Sequence, residues 1–130
     1  MKKLFIIRGL PGSGKSTVVK QYIGATVCSA DDFFMIDGKY VFDRSKIGQA
    51  HAACRSKAID AMMAGVEQVV IDNTNTQRWE YLPYVELSAQ YGYEVEVIAV
   101  GNLHDVELYA KRNVHGVPLA AIKKMAARWE

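Results

Sequence analysis

The sequence has few of the residues that mark several common classes of protein. Only two cysteines, Cys28 and Cys54, occur among 130 residues, and their spacing matches no metal-binding or redox motif. Proline occurs three times, and no apolar run approaches the roughly 20 residues that a membrane-spanning helix needs. We therefore expect two buried free thiols in a protein of the reducing cytoplasm, and no association with a membrane.

The charge balance is also weak. Lys and Arg number 16 against 14 Asp and Glu, for a formal net charge of +2. So small a charge neither indicates a nucleic-acid partner nor excludes a local basic groove. The chain is 50% hydrophobic and 23% charged, and it shows no linker or internal repeat, so we expect a single domain over 1–130. The apolar run after Lys3 is too short for a signal peptide and is interpreted as a strand.

Apolar runs alternate with helical patterns, which is typical of parallel βαβ units. Strands are predicted at about 3–8, 26–28, 69–71 and 95–100. Helices are predicted at about 15–22, 43–64, 76–91, 105–113 and 119–129. Asp43, Thr76 and Asp105 are the predicted N-caps of the middle three.

Two of these helices carry further predictions. In the second helix, apolar spacing predicts one buried face, on which His51 is interpreted as a core histidine. The residues of that face are Ile47, His51, Cys54, Ala58 and Met62. In the third helix, Pro83 predicts a kink or a late start.

The clearest motif follows the first strand directly. Gly9 to Thr17 reads Gly-Leu-Pro-Gly-Ser-Gly-Lys-Ser-Thr, which is the pattern G-x-x-x-x-G-K-[ST] between a strand and a helix. Glycines let the backbone N–H groups wrap closely around phosphates, Lys15 adds charge at the β- and γ-phosphates, and Ser16 offers a hydroxyl to Mg²⁺. The pattern predicts a site for ATP or GTP with Mg²⁺. Its predicted nucleotide-binding residues are Gly9, Pro11, Gly12, Ser13, Gly14, Lys15, Ser16 and Thr17.

Carboxylates follow the next two predicted strands. Asp72 ends a run of β-branched residues, as a magnesium-steadying aspartate of the Walker B type does, the less favoured alternative being a cap of the strand–helix turn. Asp31 and Asp32 follow the second strand, where one of them could accept the proton of an attacking hydroxyl or serve as a helix cap or ion-pair partner. Parallel strands bring these ends together at the ligand-binding edge of the sheet. The segment 73–75 either positions the acceptor or only holds its own turn.

Positive charge for the transition state is expected near the C-terminus. Arg112 lies close to the end of a predicted helix, before a break at 114–118 where a mobile lid is plausible. Lys111 and His115 are nearby. Arg112 is therefore predicted to contact the γ-phosphate, the alternative being an ordinary surface charge.

Four segments together carry a family resemblance. They are the Gly9–Thr17 loop, Ser-Ala-Asp-Asp-Phe-Phe, Val-Val-Ile-Asp-Asn-Thr-Asn and Arg-Asn-Val-His-Gly-Val-Pro. In this order they resemble the kinase domain of phage-type 5′-hydroxyl polynucleotide kinases and, more closely, the related small AAA-type ATP-binding domains. The resemblance covers nearly the whole chain. It implies an α/β P-loop NTPase fold, a three-layer sandwich whose four-stranded parallel sheet has the order 2-3-1-4 with helices on both faces.

The resemblance also implies roles. Asp31 would be the general base, Lys15 and Arg112 would contact the nucleotide phosphates, and Ser16 with Asp72 would serve Mg²⁺. The chain departs from those kinases at two places. Near Phe34 they carry an arginine that holds the acceptor. Their second lid arginine is replaced in this chain by His115 or by no residue. The predicted function is γ-phosphate transfer to a hydroxyl, with the 5′ end of DNA or RNA as acceptor. The alternatives are a small-molecule or mononucleotide kinase, and an ATP-binding or ATPase regulatory module.

Overall fold

Strand β1 lies inside a four-stranded parallel sheet in the computed structural model, which describes residues 1–130. The strands of this sheet are β1 (Lys3–Arg8), β2 (Thr26–Cys28), β5 (Gln68–Asp72) and β6 (Glu94–Ala99), and two short strands, β3 (Met35–Ile36) and β4 (Lys39–Tyr40), form a separate antiparallel hairpin. The order across the sheet is β2-β5-β1-β6, which in terms of the four predicted strands is second, third, first, fourth.

The register of the sheet aligns the functional strand ends. Ile7 of β1 pairs with Asp72 of β5, and Cys28 of β2 pairs with Ile71 of the same strand. The phosphate loop that follows β1 therefore starts beside Asp72. The last residue of β2 pairs with Ile71, one residue before Asp72, so the segment that follows β2 also starts next to Asp72. The predicted convergence of these strand ends is confirmed.

Side chains alternate across the central strands and divide the core in two. Leu4, Ile6, Val69 and Ile71 point into the larger cluster, whereas Phe5, Ile7 and Val70 point to the opposite face. A strand buried on both faces is continuously apolar, which explains the unbroken hydrophobic runs in the sequence. A third cluster of Leu10, Tyr109 and Ile122 joins the end of β1 to the C-terminal helices.

Five α-helices cover this sheet. They are α1 (Lys15–Val19), α2 (Ile47–Met63), α3 (Arg78–Tyr91), α4 (Val106–Arg112) and α5 (Leu119–Ala127). Residues of α2 and α3 belong to the larger cluster and Val19 of α1 to the opposite one, so helices lie on both faces. This is the expected α/β P-loop NTPase architecture. None of the helices combines the length and the apolar character that crossing a bilayer requires.

Several local predictions need correction. The buried face of α2 starts at Ala50 and continues through Cys54, Ala58, Ala61 and Met62. Ile47 remains 38% exposed and His51 is only partly buried, so the interpretation of His51 as a core residue is wrong. The first helix ends at Val19, three residues earlier than predicted.

The helix caps also differ. Gln77, not Thr76, caps α3 through a capping box with Glu80, and the Thr76 hydroxyl instead donates a 2.6 Å hydrogen bond to the Glu80 carboxylate. Pro83 lies inside α3, which already begins at Arg78, so a start delayed to the proline is excluded. Asp43 does cap, by accepting from the backbone N–H of Ser45 at the 3₁₀ turn that leads into α2.

The two cysteines are confirmed as buried free thiols. Burial raises the pKa of the Cys28 thiol to about 12, with Cys54 as a smaller cause in the same direction. The Cys28 thiol is therefore neutral at ordinary pH and unreactive, and Cys54, only 3% exposed, is a core residue.

Candidate nucleotide and phosphoryl-transfer site

The phosphate loop adopts backbone conformations that demand glycine at two positions. Gly12 has φ +82° and Gly14 has φ +102°, both in the left-handed region. At Gly12 there is also no room for a side chain, because a Cβ would lie 2.4 Å from the carbonyl oxygen of Tyr109 in α4. The glycine pattern thus reflects both the turn and the close approach of a distant helix.

The loop is tied to its neighbours by backbone hydrogen bonds. Gly9 N–H donates to the carbonyl of Thr74 at 3.1 Å, and Ser13 N–H donates to the carbonyl of Leu10 at 3.0 Å. Ser16 and Thr17 lie exposed in the first turn of α1. The start of α1 is therefore open to solvent, whereas the first half of the loop is held against the end of β5.

Lys15 and Asp72 sit in the same partly desolvated region. Burial lowers the pKa of Lys15, while Asp72 and Asp31 act in the opposite direction. Burial likewise raises the pKa of Asp72, and Lys15 opposes that change. In both residues burial outweighs the opposite charge nearby, and Lys15 forms no ion pair with either carboxylate. The neighbouring charges therefore offset only part of the effect of burial on the pKa of each residue.

Two buried polar atoms in this region have no hydrogen-bond partner. They are Oγ of Ser13 and Oδ1 of Asp72. Buried polar atoms are almost always satisfied, so such orphans call for a ligand. A phosphate oxygen suits the hydroxyl, and a magnesium ion or its water suits the carboxylate. The chain contains no cluster of three or more acidic, histidine or cysteine side chains that could hold a metal ion.

The polar segment after Asp72 has a structural role. Oδ1 of Asn73 accepts a 2.9 Å hydrogen bond from the backbone N–H of Ala30. Asn75 has φ +47°, and its Nδ2 donates to the carbonyl of Ile7 at 2.9 Å. Of the two interpretations left open for residues 73–75, the geometry favours that of a turn, which here joins three strand ends.

Asp31 lies at the first turn of a 3₁₀ helix (Ala30–Phe34), shortly after the end of β2. The hydroxyl of Tyr40 donates to its Oδ1 at 3.2 Å, and Nε2 of His115 lies 3.5 Å from its Oδ2. Asp31 also acts electrostatically on Lys15, whereas Asp32 does not. Both carboxylates act on the pKa of Asp72, so the expectation that only one of the two turns towards the phosphate loop stays a prediction.

Arg112 lies beside the phosphate loop. Its Nε donates to the carbonyl oxygen of Gly12 at 2.5 Å, and its guanidinium lies over the ring of Tyr109. Lys111 is exposed and makes no hydrogen bond or ion pair. Arg112 is thus an exposed residue that contacts the phosphate loop directly.

Phe34 does not take part in the cleft. It is only 4% exposed and belongs to the larger core cluster, so its departure from the kinase pattern is explained by packing. The sequence analysis did not identify Tyr40 or the buried Arg8. A single tyrosine in a loop and a single arginine at the end of a strand belong to no motif, so no signal in the sequence indicates their contacts. Arg8 donates from Nε to the carbonyl of Asn75 at 2.8 Å and lies between the rings of Tyr81 and Trp129.

The sequence is similar to segments of longer known proteins. NEDD4-binding protein 2 of Homo sapiens is 38% identical over 134 residues, which cover 98% of this chain and 8% of that protein. The 2′,3′-cyclic-nucleotide 3′-phosphodiesterase of Mus musculus is 35% identical over 107 residues, which cover 75% of this chain and 23% of that protein. The chain therefore spans less than a quarter of the length of either of these relatives.

Solved structures share the fold. A chain of the Pnkp1/Rnl/Hen1 complex superposes with a TM-score of 0.66 and 26% identity over 85% of this chain and 38% of that one. A kinase-like protein of Chloroflexus aurantiacus, described as a putative kinase, gives a TM-score of 0.69 and 20% identity over 98% of this chain and 76% of that one. At the second identity the likeness concerns the fold alone.

The family model described as AAA domain matches residues 4–130. With the phosphate loop at the end of β1 and carboxylates at the ends of the two neighbouring strands, the chain belongs to this AAA domain family of P-loop proteins and has a kinase-like fold.

Proposed function

We propose that the chain binds ATP or GTP in the phosphate loop and transfers the γ-phosphate to a hydroxyl group, with the 5′-hydroxyl of DNA or RNA as acceptor. The observation that carries this proposal is the placement of Asp31, a half-exposed carboxylate within electrostatic reach of Lys15 on the other side of the cleft. A carboxylate in this place accepts the proton of the attacking hydroxyl.

The chemistry assigns one role to each group. Lys15 and the loop N–H groups hold the β- and γ-phosphates, and Arg112 adds charge at the γ-phosphate. The acceptor oxygen attacks the γ-phosphorus, the bond to the β-phosphate oxygen breaks, and the hydroxyl proton passes to Asp31. Ser16 and Asp72 would hold Mg²⁺, which neutralises charge on the phosphates.

A nucleic-acid acceptor has support from a structural relative. A solved structure described as the Pnkp1/Rnl/Hen1 RNA repair complex contains a chain with this fold, at a TM-score of 0.74 over 98% of this chain. Its identity of 21% supports the fold only, so the acceptor rests on the Asp31 geometry together with the resemblance of the motifs.

A small-molecule hydroxyl is the second candidate acceptor. It is favoured by the burial of Phe34, which leaves the acceptor side without the arginine that the polynucleotide kinases carry there. A mononucleotide or metabolite would need fewer contacts than a polymer.

One experiment decides between these acceptors. The protein is incubated with Mg²⁺ and γ-labelled ATP in the presence of 5′-hydroxyl DNA, 5′-hydroxyl RNA, a mononucleotide mixture or a pool of small hydroxyl compounds. Label on the 5′ end of an oligonucleotide supports the proposal. Label only on a small molecule supports the second candidate, and release of phosphate without any labelled acceptor contradicts both.

A further inference from the structure

Tyr40 and His115 form a stacked pair over the acceptor side of the cleft. Their ring centroids lie 4.0 Å apart at an interplanar angle of 29°. Tyr40 ends strand β4, and His115 lies in the connection between α4 and α5. Two segments that are distant in the sequence therefore meet at these two rings.

Each ring also contacts a different oxygen of the Asp31 carboxylate. The Tyr40 hydroxyl donates to Oδ1 at 3.2 Å, and Nε2 of His115 lies 3.5 Å from Oδ2. The Asp31 side chain is 53% exposed, so general burial does not restrain it. Its orientation depends on these two neighbours.

The segment that carries His115 is itself shaped for this position. Asn113 ends α4, and its Nδ2 donates to the carbonyl oxygens of Tyr109, Ala110 and Val117, while its Oδ1 accepts from the N–H of Val117. The turn from 113 to 117 is thereby closed on one side chain. We call residues 113–118 the lid, which reaches from the Arg112 contact with the phosphate loop to the Asp31 side.

We propose that Tyr40 and His115, here called the clasp, are positioning residues that hold the lid over Asp31 and orient its carboxylate towards the reacting hydroxyl. This inference rests on the proposed role of Asp31 as general base. It deepens that role by naming what fixes the base, and it gives His115 a role on the acceptor side rather than on the nucleotide phosphates.

The chemistry of general base catalysis explains why such a clasp is useful. A base must lie within hydrogen-bonding distance of the proton it accepts, and a freely rotating surface carboxylate spends little time there. Each carboxylate oxygen has a second lone pair, so Asp31 keeps acceptor capacity while the clasp is formed. Burial and the nearby Asp31 raise the pKa of Tyr40 to about 12, which keeps its hydroxyl a donor at neutral pH.

Proton NMR tests whether the clasp exists in solution. The chain has three histidines, so the imidazole signals of His115 are identified by their loss in His115→Gln. Because the Tyr40 ring lies against the imidazole, we expect the chemical shifts of the His115 signals to differ from those of the exposed His104. In Tyr40→Leu the His115 chemical shifts should move towards those of His104. His115 signals that stay unchanged in Tyr40→Leu would overturn the clasp.

Kinetics test whether the clasp positions the base. Tyr40→Phe keeps the stacked ring and removes only the hydroxyl on Asp31, so we expect kcat for transfer to fall about 10-fold while the KM for ATP and the His115 signals remain unchanged. His115→Phe should lower kcat in the same way, and His104→Ala serves as the matched control without effect. A wild-type kcat in both Tyr40→Phe and His115→Phe would overturn the positioning role.

Failure of the proposed function and failure of the clasp give different results. If the wild-type protein phosphorylates no hydroxyl acceptor, the proposed function is wrong and the positioning role falls with it. The NMR experiment needs neither nucleotide nor acceptor, and it still decides whether Tyr40 and His115 stack.

Discussion

The side-chain oxygen of Asn73 accepts a hydrogen bond of 2.9 Å from the backbone N–H of Ala30. Asn73 directly follows Asp72, and Ala30 directly precedes Asp31. One buried hydrogen bond therefore sets the spacing between the two carboxylates on which the proposed chemistry depends.

Replacing Asn73 tests this spacing. Asn73→Ala leaves the buried N–H of Ala30 without a partner, which we expect to lower the free energy of unfolding by about 1–3 kcal/mol. Because the Ala30 segment loses its anchor, phosphate transfer should fall more than nucleotide affinity. Urea denaturation and nucleotide titration measure the two effects, and an unchanged denaturation midpoint would contradict the role given to this hydrogen bond.

Lys15 should be essential for nucleotide binding. Its ammonium lies in a partly desolvated region of the phosphate loop, so Lys15→Ala is expected to weaken ATP binding about 10- to 100-fold. Lys20→Ala, an exposed lysine at the end of α1, is the matched control. Isothermal titration calorimetry measures both affinities, and equal losses in the two variants would refute the site.

Asp31 should be needed for transfer but not for binding. Asp31→Asn keeps the shape of the side chain and removes its basicity, so we expect kcat for transfer to fall about 100- to 10,000-fold with ATP affinity within a few fold of wild type. Asp32→Asn is the neighbouring control, since Asp32 does not act on Lys15. A larger loss in Asp32→Asn than in Asp31→Asn would transfer the role to the second carboxylate.

Arg8 should stabilise the fold rather than the reaction. Besides its bond to Asn75, it donates to the carbonyl of Glu130 at 2.6 Å, and it is 8% exposed. Arg8→Met should lower the free energy of unfolding by about 3 kcal/mol, because carbonyl oxygens lose charged donors. Arg8→Lys should recover only part of this lost stability, because the ammonium of lysine lacks the planar, forked set of donors of the guanidinium. Arg55→Met, on the exposed side of α2, should change stability little, and thermal unfolding measures all three.

The raised pKa of the Cys28 thiol should make the folded protein less stable in alkali. Its pKa is about 12 in the folded protein against an ordinary value of 9.0, so above about pH 9 only the unfolded chain releases the proton. The stabilisation is complete below pH 9 and is lost between about pH 9 and 12, by up to about 1.4 kcal/mol per pH unit. Urea midpoints at pH 8 and pH 10 measure the loss, and Cys28→Ala should show a smaller difference between the two.

The sheet and the nucleotide site were largely predictable. Buried parallel strands are continuous apolar runs, and the loop from Gly9 to Thr17 has an unambiguous pattern, so both are local signals. The topology of parallel strands then places Asp31 and Asp72 at one edge of the sheet. Those predictions needed no knowledge of side-chain packing.

Contacts between distant segments were not predictable. Nothing local indicates that Tyr40 and His115 stack, or that Arg8 lies between two aromatic rings, because such contacts arise only once the helices have packed. The buried face of α2 starts three residues later than predicted for the same reason. This helix packs against the neighbouring 3₁₀ helix, and Ala50 is buried whereas the larger Ile47 is 38% exposed. Thr76 was a reasonable cap by residue type, but its hydroxyl donates to Glu80 instead.

The absence of space at Gly12 has a consequence for how the protein is made. The loop takes its shape against the backbone of Tyr109, and its carbonyl at Gly12 is bound by Arg112, which is 100 residues away in the chain. Because ribosomes add about 5–20 residues per second, α1 and its loop emerge about 5–20 seconds before the helix that completes them. During that interval the nascent chain carries the whole phosphate-loop motif without the contacts that α4 later makes with Gly12.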